Sequence, residues 1–156
     1  MTGFELRPAM PADETFLRSM VHAALFVPPG ASPFPVTVLD EPAIRHYWAG
    51  FGRRPGDVGR IAEQASTAIG AAWVRRLTGD DPGYGHIDDD TPELTVAIAT
   101  TRRGRGIGSA LLDELLALVP RCSLSVDDRN PAVRLYDRHG FTVEATDGNS
   151  LTMLRR

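Results

Sequence analysis

Apolar positions along this chain change their period several times, and each change predicts an element. Phe4 and Leu6 alternate with Glu5 and Arg7, the period of a short strand that stops at Pro8. After Pro11, residues Phe16, Leu17, Met20, Val21 and Ala24 recur at helical spacing. The proline-rich stretch 28–35 interrupts any regular structure and predicts a loop. Asp40 is placed to cap a second helix with Pro42 in its first turn, and Ile44, Tyr47, Trp48 and Phe51 form its apolar side. A Gly-Pro-rich loop follows at 52–56, and 58–64 and 67–76 read as two strands joined by a short turn.

Residues 78–91 are polar and acidic, and Asp88, Asp89 and Asp90 read as a solvated loop. The apolar run 93–99 predicts a strand, and Leu111, Leu112, Leu115, Leu116 and Val119 line a helix over 109–119. Ser123 to Val126 forms a further strand. Asn130 can cap a short helix with Pro131 at its first position and Gly140 at its exit. Phe141, Val143 and Ala145 alternate as a strand; Asp147-Gly148-Asn149 turns the chain, and Leu151 and Met153 alternate on the return. The predicted order is β-α-α-β-β-β-α-β-α-β-β. No internal repeat or linker breaks it, so one α/β domain over 1–156 is expected, with a mixed central sheet flanked by helices.

Composition narrows the setting. A chain of 156 residues can bury a real core, and 42% hydrophobic with 24% charged residues suits a soluble globular protein. A net charge of −3 argues against a general nucleic-acid binder. No apolar run reaches membrane-spanning length, because Asp113 and Glu114 interrupt the Leu-rich helix, and no signal peptide opens the chain. Cys122 is a single cysteine, so no internal disulfide is expected and a cytoplasmic setting fits. As a strand-start cysteine it reads as inert. His22, His46, His86 and His139 show no ligand spacing, so no metal is expected.

The chemistry concentrates where the strand at 93–99 meets the helix. Arg102-Arg103-Gly104-Arg105-Gly106-Ile107-Gly108-Ser109 places glycines and guanidinium groups at a helix N-terminus, an arrangement suited to phosphate oxygens. A P-loop is excluded because the turn has no Lys. A dinucleotide fingerprint needs G-x-G-x-x-G, whereas the glycines fall as G-x-G-x-G, although Asp127 stands at a suitable distance downstream. An exposed basic turn with no ligand is the third alternative.

The R-x-x-G-x-G at Arg103, Gly106 and Gly108 resembles the pyrophosphate signature of the GNAT (Gcn5-related N-acetyltransferase) superfamily. A second stretch, Asn130 to Phe141, resembles that family's N-x-x-x-x-x-Y-x-x-x-G-F element. The two motifs stand in the family's order and cover about the last 60 residues. The resemblance implies the GNAT fold, acetyl-coenzyme A as donor and transfer of its acetyl group to a primary amine of a small molecule or polypeptide.

It further implies that backbone groups of Ile98, Ala99 and Thr100 meet the pantetheine arm and the acetyl carbonyl. Those of Arg103, Gly104, Arg105, Gly106, Ile107, Gly108 and Ser109 would hold the pyrophosphate. Thr100 stands where the family often has proline. Tyr136 is implied as general acid for the leaving thiolate, and Asn130 as a contact to the pantetheine arm as well as a cap. Glu93, at the start of the strand, is the candidate base. The acceptor is expected between the loop at Phe34, the second helix with Tyr47 and Trp48, and the acidic loop 78–91. The expected partners are the amine and no nucleic acid or membrane, in a monomer or homodimer. The alternatives are a non-catalytic acyl-coenzyme A binding module on the same fold and, at a distance, an NAD-dependent oxidoreductase.

Overall fold

One strand is buried on both faces and organises the rest. β3 (Thr67–Arg75) sits between β2 (Val58–Gln64) and β4 (Glu93–Ile98), antiparallel to both. Its run Ala68-Ile69-Gly70-Ala71-Ala72-Trp73-Val74 lacks the polar alternation of a half-exposed strand, as a central strand must. A bulge skips Ile69 in the pairing with β2, so Ile69 joins Ala72 and Val74 on one face while Ala71 and Trp73 fill the other. The computed structural model describes residues 3–156.

The remaining elements are β1 (Glu5–Pro8), α1 (Glu14–Ala24), α2 (Pro42–Arg45), α3 (Ile107–Leu118), β5 (Cys122–Asp127), α4 (Ala132–Arg138), β6 (Thr142–Asp147) and β7 (Ser150–Arg155). The seven strands form one sheet in the order β1-β2-β3-β4-β5-β7-β6. Helices α1 and α2 and the turns that follow α2 cover one face through Leu17, Met20, Val21, Ile44, Trp48 and Phe51, over Ile61, Ala71, Trp73 and Ala97. Helices α3 and α4 cover the other through Ile107, Leu111, Leu112, Leu115 and Tyr136, over Leu94, Leu124 and Val126. No helix among the described residues is long and apolar enough to cross a membrane.

The mixed α/β architecture and the element order agree with the reading from periodicity, and the differences are local. The second helix is a single turn, because its chain leaves the helical path after Arg45 into irregular turns that run to Phe51. Asp40 caps nothing: it lies at the end of a 3-10 turn (Val36–Asp40) and faces Arg18 at 3.4 Å. Helix α3 begins at Ile107 rather than Ser109, because Gly106 adopts the left-handed conformation (φ 77°) that admits the chain to the helix. Strand β6 forms as expected but is exposed along its length, with Val143 50% accessible, so its alternation marks an edge and not a core face.

The sheet has one irregular seam. β4 and β5 run parallel and share a single paired position, Glu93 with Ser123. Beyond it the two strands diverge toward Ile98 and Asp127. Residues of both strands therefore line one cleft of about 1000 Å³.

Candidate active site

At one end of the cleft lies the arginine-glycine turn. Gly104 and Gly106 both have positive φ (78° and 77°), and a Cβ on either would meet nothing within 4 Å. The glycines are thus there for backbone conformation, and the space beside them is open. Among the described residues, the N–H groups of Arg103 to Ser109 donate to no protein acceptor. Several unpaired N–H groups converging at the start of a 12-residue helix suit an anion. Arg102, Arg103, Gly104, Gly106, Ile107, Gly108 and Ser109 line the cleft. Arg105 is exposed and lies outside that lining, while the Arg103 guanidinium donates to the Ala23 carbonyl at 3.2 Å.

Ser109 has a neighbour that spacing along the chain could not reveal. Its hydroxyl lies 3.3 Å from Nε2 of His139, which is also 3.1 Å from Asp113. Nδ1 of the same ring lies 2.8 Å from the Leu135 carbonyl, a pure acceptor, so Nδ1 carries a proton. His139 belongs to the Asn130–Phe141 stretch, and the structure brings that stretch onto the start of α3.

Along the seam, β4 presents its own backbone. Ala97 is in register with Ala71, and the Ala99 N–H donates to the Ile69 carbonyl at 2.8 Å. Strand alternation then turns the N–H and C=O groups of Val96 and Ile98 toward the gap. Ala99 offers neither group, because its carbonyl accepts from Arg102. Thr100 starts a 3-10 turn (Thr100–Arg102) at the strand exit and lines the cleft. Val96 is therefore a backbone candidate that the motif comparison missed.

Tyr136 enters from α4 on the other side of the gap. It is 8% exposed, its ring packs edge-on against Phe141 at 5.8 Å, and it lines the cleft. No described group hydrogen-bonds its hydroxyl, and burial pushes its pKa up to about 12. A phenol in that state keeps its proton at neutral pH and can give it to a developing anion. Asn130 lines the cleft too, with its Oδ1 accepting the Ala132 N–H at 2.9 Å. The capping role read for it is present, and its amide N–H groups face no described partner.

Glu93 lies at the closed end of the seam and is 3% exposed. Its side chain falls on the α1/α2 face, opposite Tyr136. Oε2 accepts the Tyr47 hydroxyl at 2.6 Å, and Oε1 has no hydrogen-bond partner among the described residues. Burial raises the Glu93 pKa, against the opposing pull of the Tyr47 hydrogen bond, the Gly85 backbone and the nearby His46 and His86. Burial and the adjacent carboxylate raise the Tyr47 pKa as well, so Tyr47 stays a neutral phenol. Tyr47 also accepts the Tyr84 N–H at 2.7 Å.

The loop 78–91 is thus more than a solvated connection. A Cβ on Gly83 would fall 2.2 Å from Oε1 of Glu93, and one on Gly85 would fall 2.5 Å from the Leu124 backbone. Both positions need glycine for that close approach. Asp88 and Asp89 are indeed solvent-facing, yet they brace the loop by accepting from Thr91 and Gly79. Phe34, Ile44, Tyr47 and Tyr84 line this end of the cleft, whereas Trp48 does not. Trp48 is core, with Nε1 donating to the Leu39 carbonyl at 2.9 Å and Arg18 and Arg45 over its ring.

A buried ion pair supports this end from behind. Arg75 and Asp57 meet through two contacts of 3.0 and 3.1 Å, and Arg75 also donates to the carbonyls of His46 and Ala49. Cys122 is buried, its thiol pushed up to about 12 by burial, and so chemically quiet. The described residues contain no cluster of three or more His, Cys, Asp or Glu placed to hold a metal.

Comparison with known proteins gives the chain a family and its fold solved relatives. A family model for the acetyltransferase (GNAT) domain matches residues 60–143. Mycothiol acetyltransferase of Corynebacterium aurimucosum is 32% identical over 88 residues, 53% of this chain but only 27% of the relative. The chain thus spans about a quarter of that relative's length. Among solved structures, PaiA N-acetyltransferase of Thermoplasma acidophilum in complex with coenzyme A shares the fold at a TM-score of 0.67 and 18% identity, covering 98% of both chains. Ribosomal-protein-alanine N-acetyltransferase of Brucella melitensis shares it at 0.66 and 22% identity, over 97% of this chain and 98% of that one. The chain belongs to the GNAT family of acetyltransferases.

Proposed function

We propose that the chain is a single-domain, cytoplasmic N-acetyltransferase that uses acetyl-coenzyme A and acetylates a primary amine of a small molecule or a polypeptide. The observation that carries this reading is continuity. One cleft passes through the β4/β5 gap and joins the unpaired N–H cradle to Tyr136 on one face and Glu93 on the other. The residues fit the donor: open αL glycines and free N–H groups suit a pyrophosphate, and the free N–H and C=O groups of Val96 and Ile98 suit an amide-bearing arm. When bound, the donor supplies an activated thioester.

The chain's own residues do the rest. Arg103 to Ser109 hold the pyrophosphate through backbone N–H groups, with guanidinium charge adding long-range attraction. Val96 and Ile98 align the arm against β4 as an added strand would align, and Asn130 offers its amide N–H groups from the other wall. Glu93 takes the proton that the attacking amine must lose. Tyr136 delivers a proton to the departing thiolate, and its raised pKa keeps that proton in place until charge develops. Phe34, Ile44 and Tyr84 exclude water around the acceptor.

Calorimetric titration with acetyl-coenzyme A, with NAD as comparator, tests the donor site. Thiol release on adding a panel of primary amines then tests the transfer. Binding of acetyl-coenzyme A alone followed by amine-dependent thiol release is the expected outcome. Binding without release across the panel would support a non-catalytic acyl-coenzyme A module, and binding of NAD alone would overturn the donor assignment.

A further inference from the structure

Glu93 is enclosed in a way that changes how it could act. Oε1 is pressed beneath Gly83, so closely that a Cβ there would overlap it, and no solvent reaches it. Oε2 lies under the same glycine and is covered by the Tyr47 hydroxyl at 2.6 Å. No acceptor nitrogen can approach either oxygen without displacing Tyr47 or the 83–85 backbone. Tyr47, by contrast, is half-buried and lines the cleft wall.

The hydrogen bonding of Tyr47 leaves one position open. A phenol oxygen donates once and accepts twice. Tyr47 donates to Glu93 and accepts once, from the Tyr84 N–H. Its second lone pair remains for a donor from the cleft. Phe34, Ile44 and Tyr84 line the same cleft as Tyr47.

We propose that Tyr47 is a proton relay between the acceptor amine and Glu93, so that the acceptor touches Tyr47 and never the carboxylate. This rests on the transferase reading above. The step balances in one motion. The amine N–H bond breaks as a new Tyr47 O–H bond forms, while the original Tyr47 O–H bond breaks and its proton joins Oε2 of Glu93. Tyr47 is a neutral phenol before and after, and Glu93 ends protonated. Burial beside a carboxylate disfavours a free phenolate, which is why the two transfers are coupled. The groups facing this pair are His46 and His86, both lowering the Glu93 pKa. Asp81 holds His46 at 2.8 Å, and Arg75, neutralised by Asp57, bonds the His46 carbonyl.

The test is a proton inventory on kcat/KM for the wild-type chain with its best amine, in mixtures of light and heavy water. Two protons in flight predict a curved inventory, and a straight line would overturn the relay. Tyr47→Phe should lower kcat/KM by about 10²-fold, with acetyl-coenzyme A affinity unchanged. The double variant with Glu93→Gln should be no slower than the slower single variant, because both residues serve one transfer. If Tyr47 only holds the 83–85 loop, Tyr47→Phe will raise the amine KM, keep kcat and leave the inventory of the variant as in the wild type. That pattern would also overturn the relay. Should the wild-type chain acetylate no amine, the transferase reading itself falls and takes the relay with it. Transfer with a linear inventory removes the relay alone.

Discussion

The two ends of the cleft are built from different materials. The end proposed for the pyrophosphate uses backbone: unpaired N–H groups, two left-handed glycines and the start of α3, all supplied by residues 103–109. The end proposed for the acceptor uses side chains held from far apart: Tyr47 reaches Glu93 across 46 positions, and the Tyr84 N–H reaches Tyr47 across 37. A backbone site tolerates most side-chain changes and fails when backbone conformation is denied. A side-chain network fails when one atom is removed, even if the fold is untouched. This contrast says where each end should break.

The largest effect belongs to the carboxylate. Glu93→Gln should lower kcat/KM by about 10²–10⁴-fold while acetyl-coenzyme A still binds in calorimetry. The wild-type acid limb tests the same group. Burial raises the Glu93 pKa, so the carboxylate form that accepts a proton is lost as pH falls through a value above the ordinary glutamate range. The acid limb of kcat/KM should therefore lie above the usual glutamate value. A limb at or below that value would separate Glu93 from the reaction. Tyr136→Phe comes next, with kcat down about 10²-fold and donor affinity nearly intact. An unchanged turnover rate would make Tyr136 a core residue only.

The backbone end should answer in affinity instead. Gly106→Val meets no steric neighbour but forces a β-branched residue to φ 77°. That strain is on the order of 1–2 kcal/mol and predicts roughly tenfold weaker donor binding. Equal affinity would show that the αL cap is not part of the cradle. Arg105→Ala is the smallest change: an exposed side chain outside the cleft lining should alter binding by about twofold, and less at high salt. A much larger loss would move Arg105 into the site.

The same contrast explains what could be read from the chain. Gly104 and Gly106 announce a backbone site directly, because glycine is the residue that their left-handed conformation favours, and the arginines around them are the sequence signal for an anionic ligand. The strands and helices were legible from period for the same local reason. The Tyr47–Glu93 pair was not, since a tyrosine at helical spacing reads as core, and no periodicity couples it to a strand 46 residues away. The one signal available was Gly83-Tyr84-Gly85: two glycines flanking an aromatic residue in an otherwise acidic loop. Both are small because Glu93 and the β5 backbone press against them. The buried Arg75–Asp57 pair was hidden likewise, as either residue alone reads as surface. Asp40 failed as a cap because a tertiary partner, Arg18, faces its carboxylate instead.

The seam between β4 and β5 has a mechanical consequence. With one paired position, strands β1–β4 and β5–β7 are two stiff half-sheets joined at Glu93 and Ser123, and the missing rungs lie where the donor's arm is proposed to run. A ligand there would act as a splint, supplying across the gap the hydrogen bonds that the chain itself omits. Amides of β5 and β7 would then exchange with heavy water more slowly in the loaded protein than in the free one, and the melting temperature would climb with donor concentration. The fold would thus be stiffest when it is ready to react.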